Sequence, residues 1–130
     1  MSHTVKIAVQ FKTTELPRLR TALEALGWSL QENATSRQYS GRVEGPYAYV
    51  AKNPKTDHNA YDIGINVRGE NLELMSDFYG GSIESTLGSG LQRLKQEYAA
   101  AVIADEYPNA TIARSTDASG NIVLEVEQWG

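Results

Sequence analysis

Tyr61–Phe78 reads YDIGINVRGENLELMSDF, two alternating apolar runs separated by Gly69–Glu70. Glycine in the first central position suits a two-residue type II′ turn, so the segment predicts a β-hairpin. The register then pairs Val67 with Leu72, Ile65 with Leu74, Ile63 with Ser76 and Tyr61 with Phe78 on one apolar face. The other face pairs Asn66 with Glu73, Gly64 with Met75, and Asp62 with Asp77. Like charges opposed across a ladder are destabilising, and partial burial would raise the pKa of one of them. Three arrangements relieve the conflict. A cation from an adjoining strand could bridge the acids, with Lys6, Lys12 and Arg114 as candidates. A divalent metal could do so through oxygen ligands. The acids could also stay solvated, facing a basic partner.

Outward from the hairpin, Val5, Ile7, Val9 and Phe11 alternate with polar or small residues, the period of a half-buried strand. A helix is predicted over Glu15–Leu26, with Thr13 or Thr14 as N-cap and Pro17 in its first turn. Leu16, Leu19, Leu23 and Leu26 form its apolar stripe, and Gly27 supplies the stop. A weak strand follows Trp28, after which ENATSRQYSGRVEGP reads mostly as loop. Tyr47–Ala51 is a short strand and KNPKTDHN a second loop. A long helix begins near Ser82, read as its cap, and buries Ile83, Leu87, Leu91, Leu94, Tyr98, Ala101 and Val102. Gly88 and Gly90 weaken its first turns, and Pro108 marks its end. Thr111–Arg114 and Ile122–Trp129 are strands joined by a turn containing DASG.

This order predicts an α+β fold: an antiparallel sheet of about five to seven strands with two helices on one face, ferredoxin-like with additions. A length of 130 residues fits a single domain over 1–130. The lack of cysteine excludes disulfides, thiolate metal sites and cysteine nucleophiles. A formal charge of -4 and a pI near 5.1 argue against nucleic acid. No signal peptide is visible, and no run approaches the roughly 20 apolar residues of a membrane helix. The expectation is a cytoplasmic protein without a cofactor and without membrane contact.

No GxGxxG, Walker lysine or GxSxG is present, so no reaction is indicated. The expected role is a non-enzymatic binding or regulatory module for another protein. Its partner-binding surface is an exposed acidic sheet face carrying Tyr61, Asp62, Asn66, Glu73 and Asp77. The alternative is a metal-assisted hydrolase or small-molecule site at Asp62 and Asp77, helped by His58. Either edge strand leaves a homodimer open.

The first helix ending ALEALGW, then YDIGI, LELMSD, QEYAAAVI and GNIVLEVEQW, resemble the hypothetical chloroplast reading frame thirty-five family. These are small proteins of cyanobacteria, algal plastids and other bacteria, treated as a domain of unknown function. The resemblance spans nearly the whole chain and maps Tyr61, Asp62, Gly64, Glu73, Asp77, Tyr98 and Trp129 onto the family's recurring positions. Ile65 and Phe78–Gly81 depart from it, because aromatics are common there in the family. It implies a bacterial or plastid-stroma-like setting and supplies no reaction.

Overall fold

A computed structural model describes residues 2–7, 9–76 and 82–128. Asp77, Phe78 and Trp129, and with them the pairings of Tyr61 with Phe78 and Asp62 with Asp77, lie outside the described residues. The fold is α+β with antiparallel pairing throughout, as expected. Its seven described strands divide between two sheets rather than forming one. The first sheet has the order β1 (Ser2–Ile7), β7 (Ile122–Gln128), β6 (Ala110–Thr116). The second runs β2 (Ser29–Arg37), β3 (Val43–Lys52), β4 (Ile63–Arg68), β5 (Asn71–Met75).

The division has its origin in the first strand. Ser2–Ile7 pairs with β7, whereas the continuation reaches β5: Lys12 bridges Asn71, and Leu72 N donates to Phe11 O at 2.8 Å. Ser2–Ile7 and the Phe11–Lys12 pair therefore serve different sheets. Val9 packs against both hydrophobic clusters of the protein.

The hairpin forms in the expected register, with Arg68 opposite Asn71, Val67 opposite Leu72 and Ile65 opposite Leu74. Gly69 has φ +61, and Glu70 is not left-handed, which fits the II′ geometry. Thr13 does not cap the following helix; its N–H donates to Glu70 O and its hydroxyl to Gly69 O, clamping the turn. Helix α1 (Leu16–Ala25) carries Pro17 in its first turn and buries Leu19 and Leu23 completely. Its end is a Schellman motif: Trp28 N donates to Leu23 O and Gly27 N to Glu24 O, with Gly27 at φ +84.

Two elements differ from the sequence reading. The stretch read as a loop is the distal half of a long β2–β3 hairpin. Pro46 is tolerated in β3 because β4 pairs β3 only at Tyr49–Ala51, so no ladder bond to that side is lost. The long helix is broken into α2 (Ser82–Leu87) and α3 (Gln92–Ile103). Gly88, Gly90 and Leu91 all have φ between 60 and 85 at the break. Leucine in the left-handed region costs roughly 1–2 kcal/mol. Ile83 and Leu87, both fully buried, each gain roughly 1.5–3 kcal/mol by reaching the core. The kink therefore wins. Helix α3 packs on α1, β6 and β7, with Leu94 and Tyr98 in the larger core and Ala99, Ala100 and Ile103 in the smaller. No helix among the described residues is long and apolar enough to cross a membrane.

The break ranks its two glycines. A Cβ at Gly88 would lie 2.9 Å from Arg93 N, whereas one at Gly90 would meet open space. Gly88→Ala is expected to destabilise by about 2–3 kcal/mol and Gly90→Ala by about 1 kcal/mol, the latter from backbone strain alone. Urea denaturation of both variants checks the order; equal losses would contradict it.

Candidate functional site

Asp62 is fully buried, with 0% exposure. The residue precedes β4 and alternates with Ile63, whose side chain lies in the larger core. It was expected on an uncovered polar face, and the distal β2–β3 hairpin corrects that. Asn33 has φ +46, and the β2–β3 register shifts between Ala34 and Ser36. The resulting bulge brings Arg37 against Asp62, whose own N–H donates to Arg37 O at 2.9 Å. Beyond it, Tyr39 meets Tyr61 edge-on at 6.3 Å, and Tyr61 too is buried.

Each carboxylate oxygen of Asp62 is occupied. Oδ1 accepts from Arg37 Nη2 at 2.7 Å and Asn53 N at 2.9 Å. Oδ2 accepts from Arg37 Nε and Arg37 N, both at 2.8 Å, with Lys52 Nζ at 3.5 Å. The guanidinium is thus bidentate, the strong form of a charge-assisted pair. Its remaining donors reach the carbonyls of Asn53 and Lys55. Asn53 Nδ2 extends the network to Tyr61 O and Ser82 Oγ. Ser82, expected as a helix cap, instead donates from its hydroxyl to Asn59 O. Ser76 Oγ donates to Asp62 O at 2.6 Å. The network therefore joins the ends of β2, β3 and β5, the 53–62 loop and the start of α2.

Burial alone would push the Asp62 carboxyl up. The Arg37 side-chain bonds, the backbone N–H groups of Arg37 and Asn53, and the Arg37 charge outweigh it and hold the pKa below the ordinary 3.8. The cations are not those expected from adjoining strands. Lys6 pairs with Asp117, Lys12 Nζ donates to Asn71, and Arg114 pairs with Glu97. Arg37 and Lys52 escape sequence reading because Arg37 lies in ENATSRQYSGRVEGP and Lys52 opens KNPKTDHN, both read as loop.

The remaining candidates are dispersed. Asn66 is half-buried, its Nδ2 against Met75 Sδ, and Glu73 is at the surface with Arg68. His58 is exposed in the 53–62 loop. Among the described residues no three His, Asp or Glu side chains cluster as a metal site, and the occupied oxygens of Asp62 leave no open ligand position. Gly64 has its own constraint: a Cβ there would sit 2.5 Å from Cε2 of Tyr47.

Because its folded pKa is depressed, Asp62 contributes stability that is present above the unfolded value and lost as pH falls through the folded one. Asp62→Asn is expected to cost about 3 kcal/mol at pH 7, toward the lower end for a broken buried pair because Arg37 is partly solvated. The variant should also lose part of the wild-type stability decline below pH 3.8. In Arg37→Met the sign inverts. Desolvation of Asp62 is then opposed by fewer groups, its pKa rises, and stability should fall as pH rises through that value. Thermal melts between pH 2.5 and 8 check both; parallel pH curves for all three proteins would contradict the network's energetic role.

The family model for proteins of unknown function designated DUF1257 matches residues 22–124. No curated protein and no solved structure matches significantly. The matched span runs from α1 into β7 and contains Arg37, Lys52, Asn53 and Asp62, and on that match this chain belongs to the DUF1257 family of proteins of unknown function.

Proposed function

We propose that the protein is a non-enzymatic binding or regulatory module for another protein, working in a bacterial cytoplasm or a plastid-stroma-like compartment. The surface we assign is the tip of the β2–β3 hairpin together with the neighbouring end of β5. The observation carrying this reading is a cleft of about 370 Å³ between the hairpin tip and the end of β5, with exposed apolar side chains on both elements. Gln38, Arg42, Glu44, Met75 and Ser76 line it, and Tyr39 (61%), Val43 (61%) and Met75 (41%) are all exposed. Exposed apolar side chains with a polar rim are the usual mark of an interaction surface. Local charges are already paired, Arg42 with Glu44 and Arg68 with Glu73, so a partner need not neutralise a strong field. Asn66 and Glu73 belong to this surface, whereas the buried carboxylate of Asp62 orders the loops that support it. A hydrolytic or metal-binding reading at Asp62 has no such support, since both oxygens are committed to Arg37, Lys52 and Asn53.

The test compares wild type with Val43→Lys/Met75→Lys, and with Ser115→Lys on the other sheet as control, by crosslinking and affinity capture from the native cell. Equal melting temperatures ensure folded baits. A partner recovered with wild type and control but at least tenfold reduced with the double variant is the expected result. Undiminished recovery would refute the assigned surface.

A further inference from the structure

A second cleft, of about 350 Å³, opens where the two sheets diverge, between the Val9–Thr14 segment, the start of α1, and α3. That size falls within the range of small-ligand sites. Val9, Ala99 and Val102 provide apolar wall, and Gln10, Thr14 and Glu15 provide the rim. Tyr98 is 4% exposed, and its ring is fixed edge-on against Phe11 at 4.8 Å.

The Tyr98 hydroxyl accepts a hydrogen bond from Lys12 N at 3.0 Å. A phenol is both donor and acceptor, and no described residue takes its proton. Burial, followed by the Glu15 charge, raises its pKa against the opposing Lys12 N–H, so the proton is retained at neutral pH. The charges at the rim select further. Lys12 shares that rim, but its Nζ is engaged by Asn71 at 3.0 Å and by Gln10 at 3.4 Å. Glu15 is held only loosely, by Arg18 Nε at 3.9 Å. The cleft thus offers a buried O–H donor and a rim carboxylate acceptor beside an apolar wall. A bound anion would meet the Glu15 charge.

We propose that this cleft binds a small uncharged carboxamide with an apolar body, whose carbonyl oxygen accepts from Tyr98 and whose amide N–H donates to Glu15. The hydrogen-bond pattern is complementary for both the C=O and the N–H of the amide, and an isosteric carboxylate would lose one bond and gain a repulsion.

Benzamide is the probe and benzoate its charged isostere, each titrated into the full chain and followed by amide shifts in 1H–15N spectra. Benzamide should shift Val9, Lys12, Ala99 and Val102 with a Kd of about 1 mM, and benzoate should leave them unmoved. Tyr98→Phe should weaken benzamide about tenfold. If that variant does not fold, Val102→Phe, which fills the cleft, should abolish the shifts. The proposal is overturned if benzamide causes no localised shifts up to its solubility, if benzoate binds equally, or if the folded variant tested binds as wild type does.

Discussion

Removing an isolated carboxylate from water costs far more than a small domain can supply, unless hydrogen bonds and a counter-charge replace the solvent. Asp62 meets that demand with a bidentate guanidinium, two backbone N–H groups and a nearby lysine. The donors constrain two pieces of chain, the end of β2 and the end of β3. Arg37 must arrive on the β2 bulge, Asn53 must begin its loop at the end of β3, and Lys52 must fold inward. The 53–62 loop contains little apolar material beyond its end at Ala60 and Tyr61. Its arrangement depends on this polar network rather than on packing. Partial satisfaction would be costly, since any donor withdrawn leaves charge stranded in a low-dielectric site.

The apolar framework answers a separate problem, two sheets served in turn by Ser2–Ile7 and the Phe11–Lys12 pair. Val5 packs in the smaller core and Phe11 in the larger, with Val9 touching both. Helix α3 performs the same service on the other side, through Ala99, Ala100 and Ile103 against one core and Leu94 and Tyr98 against the other. The seam between the sheets is consequently lined by residues that neither core fully covers, which is where the Tyr98 cleft lies.

Much of this was legible wherever periodicity and turn chemistry agreed. The Gly69 hairpin, its register, the Leu19–Leu23 stripe and the Gly27 stop each follow from local rules that the tertiary structure reinforces. Local rules misled where tertiary contacts supplied the energy. Val43–Pro46 looked like loop because glycine and proline are poor ladder residues, yet the β2 partner alone holds that part of β3. The α2–α3 break was hidden because Ile83, Leu87, Leu91 and Leu94 keep helical spacing across it. The candidate site was legible only as a question. The hairpin singled out Asp62 as a charge needing an answer, but alternation assigns a face and not its burial. The answering Arg37 is 25 residues away, delivered by a bulge with no clear sequence mark.

The central claim is that the Asp62 carboxyl is ionised, buried and held by Arg37. A carboxyl 13C titration of Asp62, with the Arg37 Nε proton followed in the same samples, tests it directly. The account predicts a midpoint below the ordinary 3.8 and an Arg37 Nε proton that exchanges slowly until that midpoint is passed. A midpoint at or above the ordinary value, with fast-exchanging guanidinium protons at neutral pH, would contradict it.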